Sequence, residues 1–211
     1  MTMPATILRA RRAVPATLTA AAAATLLLAA PATAHVLGSG RIAGGLEAGF
    51  VHPIMGLDHV LAMLAVGMWG AQLGGRAIWV LPVCFPMVMA FGGALGVAGV
   101  PFPAVETGIG ASVLILGAAI ALALRPPVPV SAAIVGFLAL FHGYAHGVEL
   151  PDATDPVAFA LGFVVATGLI HAAGILIGLV IRLPWGVQAL RGAGAAIGVA
   201  GIGLLTGLIV A

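Results

Sequence analysis

The 211-residue chain has no lysine, a single cysteine and few charges: eight arginines and six carboxylates make up 7% of its residues. A soluble domain hydrates its surface with about a quarter charged residues. So sparse a supply excludes that kind of surface, and most side chains must face lipid or other helices. Without lysine there is no G-x-x-x-x-G-K-[ST] phosphate loop, which removes nucleotide as a partner and nucleotide hydrolysis as an activity. Cys84, standing alone, excludes an intramolecular disulfide and any cysteine cluster for structural zinc, and leaves the redox compartment unread. The net charge of +2 and pI near 9.5 invite a nucleic-acid reading. The arginines are scattered at the N-terminus and between apolar runs, however, and form no basic stripe, so nucleic acid is excluded as well. Alternating strand patterns are missing too.

What the chain does have is 62% hydrophobic residues and a mean hydropathy of +1.23. Arg9, Arg11 and Arg12 precede an Ala/Leu-rich stretch ending in Ala32-Thr33-Ala34. This is a basic region, an apolar core and an A-x-A cleavage signal in secretory order. Residues 1–34 therefore read as a cleavable signal peptide, with an uncleaved anchor helix as the alternative. Residues 35–211 read as the transmembrane domain. Six apolar spans follow, at 56–72, 77–98, 104–124, 129–148, 156–181 and 188–210, each near the ~20 residues that cross a bilayer. Ile42 to Val51 reads as an interfacial or re-entrant piece. The expected fold is an all-α polytopic membrane protein with six transmembrane helices after the signal peptide. If residue 35 lies outside, Arg76, Arg125, Arg182 and Arg191 fall inside, and Glu47, Glu106, Glu149, Asp152 and Asp155 fall outside, with Arg41 the one external basic residue. That agrees with the positive-inside rule and a bacterial inner membrane. Among 31 glycines, Gly92/Gly96, Gly143/Gly147, Gly174/Gly178, Gly194/Gly198 and Gly203/Gly207 have the four-residue spacing that lets helices approach closely. The last span reads as a packing or oligomerisation helix, which admits a homo-oligomer. Pro82 and Pro86 predict a kink in the second span.

Each ionisable group in a span needs a reason, since Asp, Arg or Lys at a helix centre costs about 2.5–3.5 kcal/mol on insertion. His52-Pro53-Ile54-Met55-Gly56-Leu57-Asp58-His59 places a bend before the first span and an acid–imidazole pair in its first turn, with Met63 on the face of His59. A carboxylate favoured by the helix N-terminus is the structural alternative for Asp58. His142, His146 and Glu149 sit at i, i+4 and i+7, on one helical face. Two imidazoles and a carboxylate suit a borderline divalent cation. With residue 35 outside, both clusters lie toward the outer half of the membrane. Glu106 stands at the outer start of the third span, where it joins them or serves as a helix-start carboxylate. His171 falls near the midplane, as a deeper ligand or as a helix-to-helix hydrogen-bonding group. His35, once exposed by cleavage, offers an α-amine and an imidazole to a metal, or is simply a mobile first residue. Asp155-Pro156 reads as a helix start. Cys84 and Met87 read as core filling rather than soft ligands.

At these residues the sequence resembles the HupE/UreJ family of nickel permeases. The resemblance rests on His52-Pro53-x-x-Gly56-x-Asp58-His59 with Met63 and Trp69, on Glu106-x-Gly108-Ile109, and on Phe141-His142-Gly143-x-Ala145-His146-Gly147-x-Glu149. It implies uptake of Ni2+, with Co2+ as the alternative cargo, for hydrogenase or urease maturation, and a need for the His and Asp residues of the first motif. The metal is then a transported substrate, no cofactor is permanently bound, and the protein is not an enzyme. The first motif is also similar to the broader nickel/cobalt transporter signature, but five residues separate His52 from Asp58 where that signature has four, so its geometry is not carried over. Two other readings use the same ligands: an intramembrane zinc hydrolase with Glu149 or Asp58 as base, and a b-type haem protein. Ligand count alone does not choose the metal, because affinity order favours copper over nickel.

Overall fold

A computed structural model describes residues 45–149 and 156–210, and every regular element among them is helical. The order is α1 (Gly45–Met55), α2 (Leu57–Leu73), α3 (Ala77–Val97), α4 (Val105–Ala121), α5 (Val128–Val148), α6 (Pro156–Gly178) and α7 (Gly186–Leu205); a 3-10 turn, Leu179–Arg182, extends α6. His35, Arg41, Asp152, Asp155 and the signal-peptide expectation lie outside the described residues. Helices α3, α5, α7 and the extended α6 are long and apolar enough to cross a membrane. The α1–α2 pair, bent by 80°, is a fifth candidate if it counts as one span, and α4 is a shorter apolar helix. Each of the six apolar runs thus corresponds to a helix, but length and composition identify four or five crossings among the described residues rather than six. The 17 residues of α4 reach only about 25 Å. Left-handed Ala104 (φ 56°) and Ala123 (φ 51°) bracket it, and the Leu124 N–H closes back on the Ala119 carbonyl.

Ile42 to Val51 overlaps α1, which runs on to Met55 and includes His52 and Pro53. The break before α2 is at Gly56, which is extended (φ −86°, ψ 114°). Helix α2 is the centre of the bundle, with 13 of its 17 residues buried. It packs against α3, α4, α6 and α7, and Met63, Val66 and Trp69 are in the core. A helix apolar on all sides has to be surrounded in this way. Large apolar side chains that point outward, among them Trp79, Met87, Phe91, Phe137, Leu176 and Val199, form a surface suited to lipid rather than water.

Bare glycine faces set the other contacts. On α3 and α5, a Cβ at Gly92, Gly96, Gly143 or Gly147 would run into the facing backbone. Gly194 and Gly201 of α7 lie in the same way against α4, and Gly174 and Gly178 of α6 against α2. The last helix therefore packs within the chain. Gly203/Gly207 departs from the expected pattern: Gly207 (φ 70°) ends α7, and the atoms nearest a Cβ at Gly203 belong to the returning Ile209 rather than to another helix. That turn also ends the helix earlier than the apolar run to residue 210 suggests, because apolar residues beyond a left-handed glycine read as span in the sequence. Where α4 ends, carbonyls in its last turn and just beyond accept side-chain hydrogen bonds: Trp69 Nε1 donates to Leu124 (3.2 Å), Gln72 Nε2 to Ile120 (3.1 Å) and Arg191 Nε to Ala121 (2.7 Å). These bonds tie the ends of α2 and α4 to the start of α7.

Candidate metal-binding site

The two sequence clusters meet at the opposite end of α2. Gly56 leaves room for the turn that starts the helix. A Cβ there would come within 2.9 Å of both Asp58 Oδ1 and His59 Nδ1, so a side chain at this position would displace the pair it introduces. Asp58 Oδ1 accepts from the His59 backbone N–H and lies 2.7 Å from His59 Nδ1. A carboxylate can only accept, so Nδ1 carries the proton and Nε2 presents its lone pair. A carboxylate behind a histidine fixes ring orientation and raises ligand basicity in metal sites.

Bare Gly143 and Gly147 bring α5 against α3, which leaves the His142 and His146 face of α5 turned toward the histidines of α1 and α2. The His59 ring centre is 4.7 Å from that of His142 and 4.2 Å from that of His146. His146 also meets His52: their rings are 4.7 Å apart, with Nε2 of His52 2.7 Å from Nδ1 of His146. Glu149, exposed just past the end of α5, has Oε2 3.7 Å from His52 Nε2. Ligand atoms of His52, His146 and Glu149 all lie within 4.8 Å of one another, a spacing one cation can bridge. Phe159 of α6 packs edgewise on His52 and Phe163 edgewise on His146, with Phe163 also tilted toward His52, closing the cluster from the side. Beside His146 an apolar cavity of about 210 Å3 lies between α3, α5 and α6, lined by Met89, Gly143, Phe159 and Phe163.

His171 is deeper in the bundle. Its backbone faces Gly67, eight residues past His59 and about 12 Å farther along α2. The Phe85 ring stands between, 5.5 Å from both His142 and His171. Among the described residues, the buried nitrogens His59 Nε2, His142 Nδ1 and His146 Nε2 have no hydrogen-bond partner, nor does Thr167 Oγ1 one turn before His171, whose ring interacts with the Thr167 backbone. Buried polar atoms are nearly always satisfied, so a run of free imidazole nitrogens suits groups that exchange ligands with a passing cation. A porphyrin does not fit here, because the rings of His59, His142 and His146 pack on one another with no slot between them.

Of the expected residues, the fold gathers His52, Asp58, His59, His142, His146 and Glu149 into one end of the bundle. It puts His171 beneath them and leaves Glu106 exposed in the first turn of α4, outside the bridging group. Met63 is fully buried beside them. Met87 points outward and is 69% exposed, so it is neither core filling nor a ligand, while the Cys84 thiol donates to the Ala132 carbonyl (3.4 Å). Residue patterns gave no sign of Phe85, Phe163 or Ser112. Ser112 is fully buried on α4, with Oγ 2.6 Å from His142 Nε2. The only available signal for it was a hydroxyl in the apolar stretch that follows Gly108.

A family model described as HupE / UreJ protein matches residues 22–204. Among curated proteins, Protein HupE of Rhizobium leguminosarum bv. viciae is 45% identical over 184 residues, covering 87% of this chain and 95% of that protein. No solved structure matches the chain.

Proposed function

Because this chain belongs to the HupE/UreJ family, we propose that it is a permease carrying Ni2+, with Co2+ as the alternative cargo, across the bacterial inner membrane for hydrogenase or urease maturation. The observation that carries this reading is the line of buried imidazole nitrogens without protein partners, leading from the bridging group at His52, His146 and Glu149 toward His171. The ion sheds part of its water at that group, where imidazole and carboxylate replace it. It moves onto His59 and His142, then passes Phe85 to His171 and Thr167. Neutral imidazoles hold nickel firmly enough to dehydrate it and weakly enough to release it.

The same reading takes α1–α2 and α4 as full crossings, giving six. It places the histidine end outside and the ends near Arg76, Arg125, Arg182 and Arg191 inside. Glu106 lies on the outer approach, and His35, freed by signal cleavage, is an accessory ligand. The chain acts as a carrier rather than an enzyme and holds no permanent cofactor.

The test is radioactive nickel uptake by purified protein in liposomes with an imposed inside-negative potential, run beside His59→Ala and His146→Ala with cobalt and zinc as competitors. Potential-dependent uptake that is lost in both variants supports the permease, and competition ranks the metals. Zinc retained through purification, with neither nickel nor cobalt moving, would overturn it in favour of a zinc hydrolase.

A further inference from the structure

We propose that Ser112 of α4 is a positioning residue that locks His142 in the tautomer whose Nδ1 is the metal-binding atom; this rests on the permease reading. Ser112 Oγ lies 2.7 Å from the Ile109 carbonyl oxygen and 2.6 Å from His142 Nε2. Two oxygens at 2.7 Å attract only with a proton between them, and a carbonyl has none to give. The single hydroxyl proton therefore goes to Ile109, and the hydroxyl can only accept from the ring. Nε2 of His142 must carry the N–H, and in the neutral ring Nδ1 is left as a lone pair.

That Nδ1 is buried and has no protein partner, and its ring is packed edgewise against that of His59. His59 is held in the opposite sense: its Nδ1–H donates to the Asp58 carboxylate, and Nε2 has no partner among the described residues. The two neighbouring imidazoles thus present different nitrogens, each set by an oxygen behind it. A carboxylate does this for His59 and a neutral hydroxyl for His142, so the pair adds only one negative charge to the path. An imidazole whose tautomer is not fixed spends part of its time presenting an N–H, which repels a cation. Partners behind metal-ligating histidines are worth about 10–100-fold in affinity.

The experiment uses full-length protein in nanodiscs, labelled with 15N-histidine, and compares wild type with Ser112→Ala and Ser112→Thr. His142 is assigned by its loss in His142→Gln. In wild type the His142 signals should report Nε2–H. Ser112→Ala should move them to a tautomer mixture and weaken nickel binding by about tenfold or more, whereas Ser112→Thr, which keeps the hydroxyl, should hold both near wild type. Of the two amides at position 142, His142→Asn places its head near the Nδ1 position and should bind nickel better than His142→Gln. An Nδ1–H tautomer in wild type, or unchanged nickel affinity in Ser112→Ala, would overturn the assignment. So would equal loss in Ser112→Ala and Ser112→Thr with the tautomer unmoved. If His146→Ala abolishes uptake while Ser112→Ala is indifferent, the role of Ser112 fails alone. If the wild-type protein itself moves neither nickel nor cobalt, the permease reading has failed.

Discussion

His146 occupies a position no other ligand shares, because it touches His52 on one side and His59 on the other. It belongs both to the outer bridging group and to the inner pair, whereas His171 is past Phe85 and belongs to neither. The two residues should therefore fail differently. His146→Ala is expected to lower equilibrium nickel binding at least about tenfold and to abolish uptake, since truncation removes a ligand from both positions. His171→Ala should bind nickel almost as wild type but carry it slowly. Equilibrium dialysis beside liposome uptake separates the cases, and equal loss of binding in both variants would mean a single site. At this scale much could be read from the sequence. The i, i+4, i+7 spacing places His142, His146 and Glu149 along one side of α5, and adjacency alone places Asp58 on His59. The contact of His52 with His146 spans 94 positions and depends on how α1 bends at Gly56, which no local pattern records. Ser112 was hidden for a related reason: a lone serine in a helix is ordinarily satisfied by its own backbone.

Helices α3 and α5 hold the second cluster in place by backbone contact rather than by large side chains. A methyl at Gly143 would collide with the main chain of Met89, and one at Gly147 with that of Gly93, and backbone cannot swing aside as a side chain tip can. Gly143→Ala should therefore cost about 1–3 kcal/mol, the usual penalty of overpacking, and should weaken nickel binding because His142 and His146 move with the helix. Gly168 on α6 meets nothing within 4 Å, so Gly168→Ala should be neutral or stabilising by up to about 1 kcal/mol. The chain's single thiol reports on this interface, because Cys84 on α3 bonds to the Ala132 carbonyl on α5. Thermal melts followed by a maleimide dye should show a lower midpoint and faster labelling in Gly143→Ala and no such change in Gly168→Ala. Glycine spacing identified these faces in the sequence but not their partners. It also misread Gly203/Gly207, since the same spacing arises when the second glycine turns the chain out of a helix.

For the whole molecule the question is what drives a cation through a bundle with so little charge. The chain has no G-x-x-x-x-G-K-[ST] loop of its own, and on the permease reading a gradient is a sufficient source of work. A potential of 100 mV, negative inside, supplies about 4.6 kcal/mol to a doubly charged ion. At 1.4 kcal/mol per factor of ten this sustains a concentration ratio of about three orders of magnitude, so proton coupling is not required for nickel to accumulate. Protons still intervene, because they compete with the metal for the same imidazole lone pairs. A bound Ni2+ requires an unprotonated nitrogen on each ring that ligates it, and acid converts free imidazoles to cations that repel it. Uptake at fixed potential and fixed free nickel should therefore fall as the external pH is lowered. The loss should appear as a rise in the half-saturating nickel concentration while the maximal rate is kept, because excess metal can still displace the proton. Glu149→Gln should raise the half-saturating nickel concentration at neutral pH, since it removes a carboxylate ligand 3.7 Å from His52. Collapsing the pH gradient with the potential clamped should leave the maximal rate unchanged. A half-saturating nickel concentration that stays constant over the whole pH range in which the protein remains folded would remove imidazole from the coordination of the entering ion, and a rate that tracks the pH gradient at constant potential would make the protein a proton-coupled carrier instead.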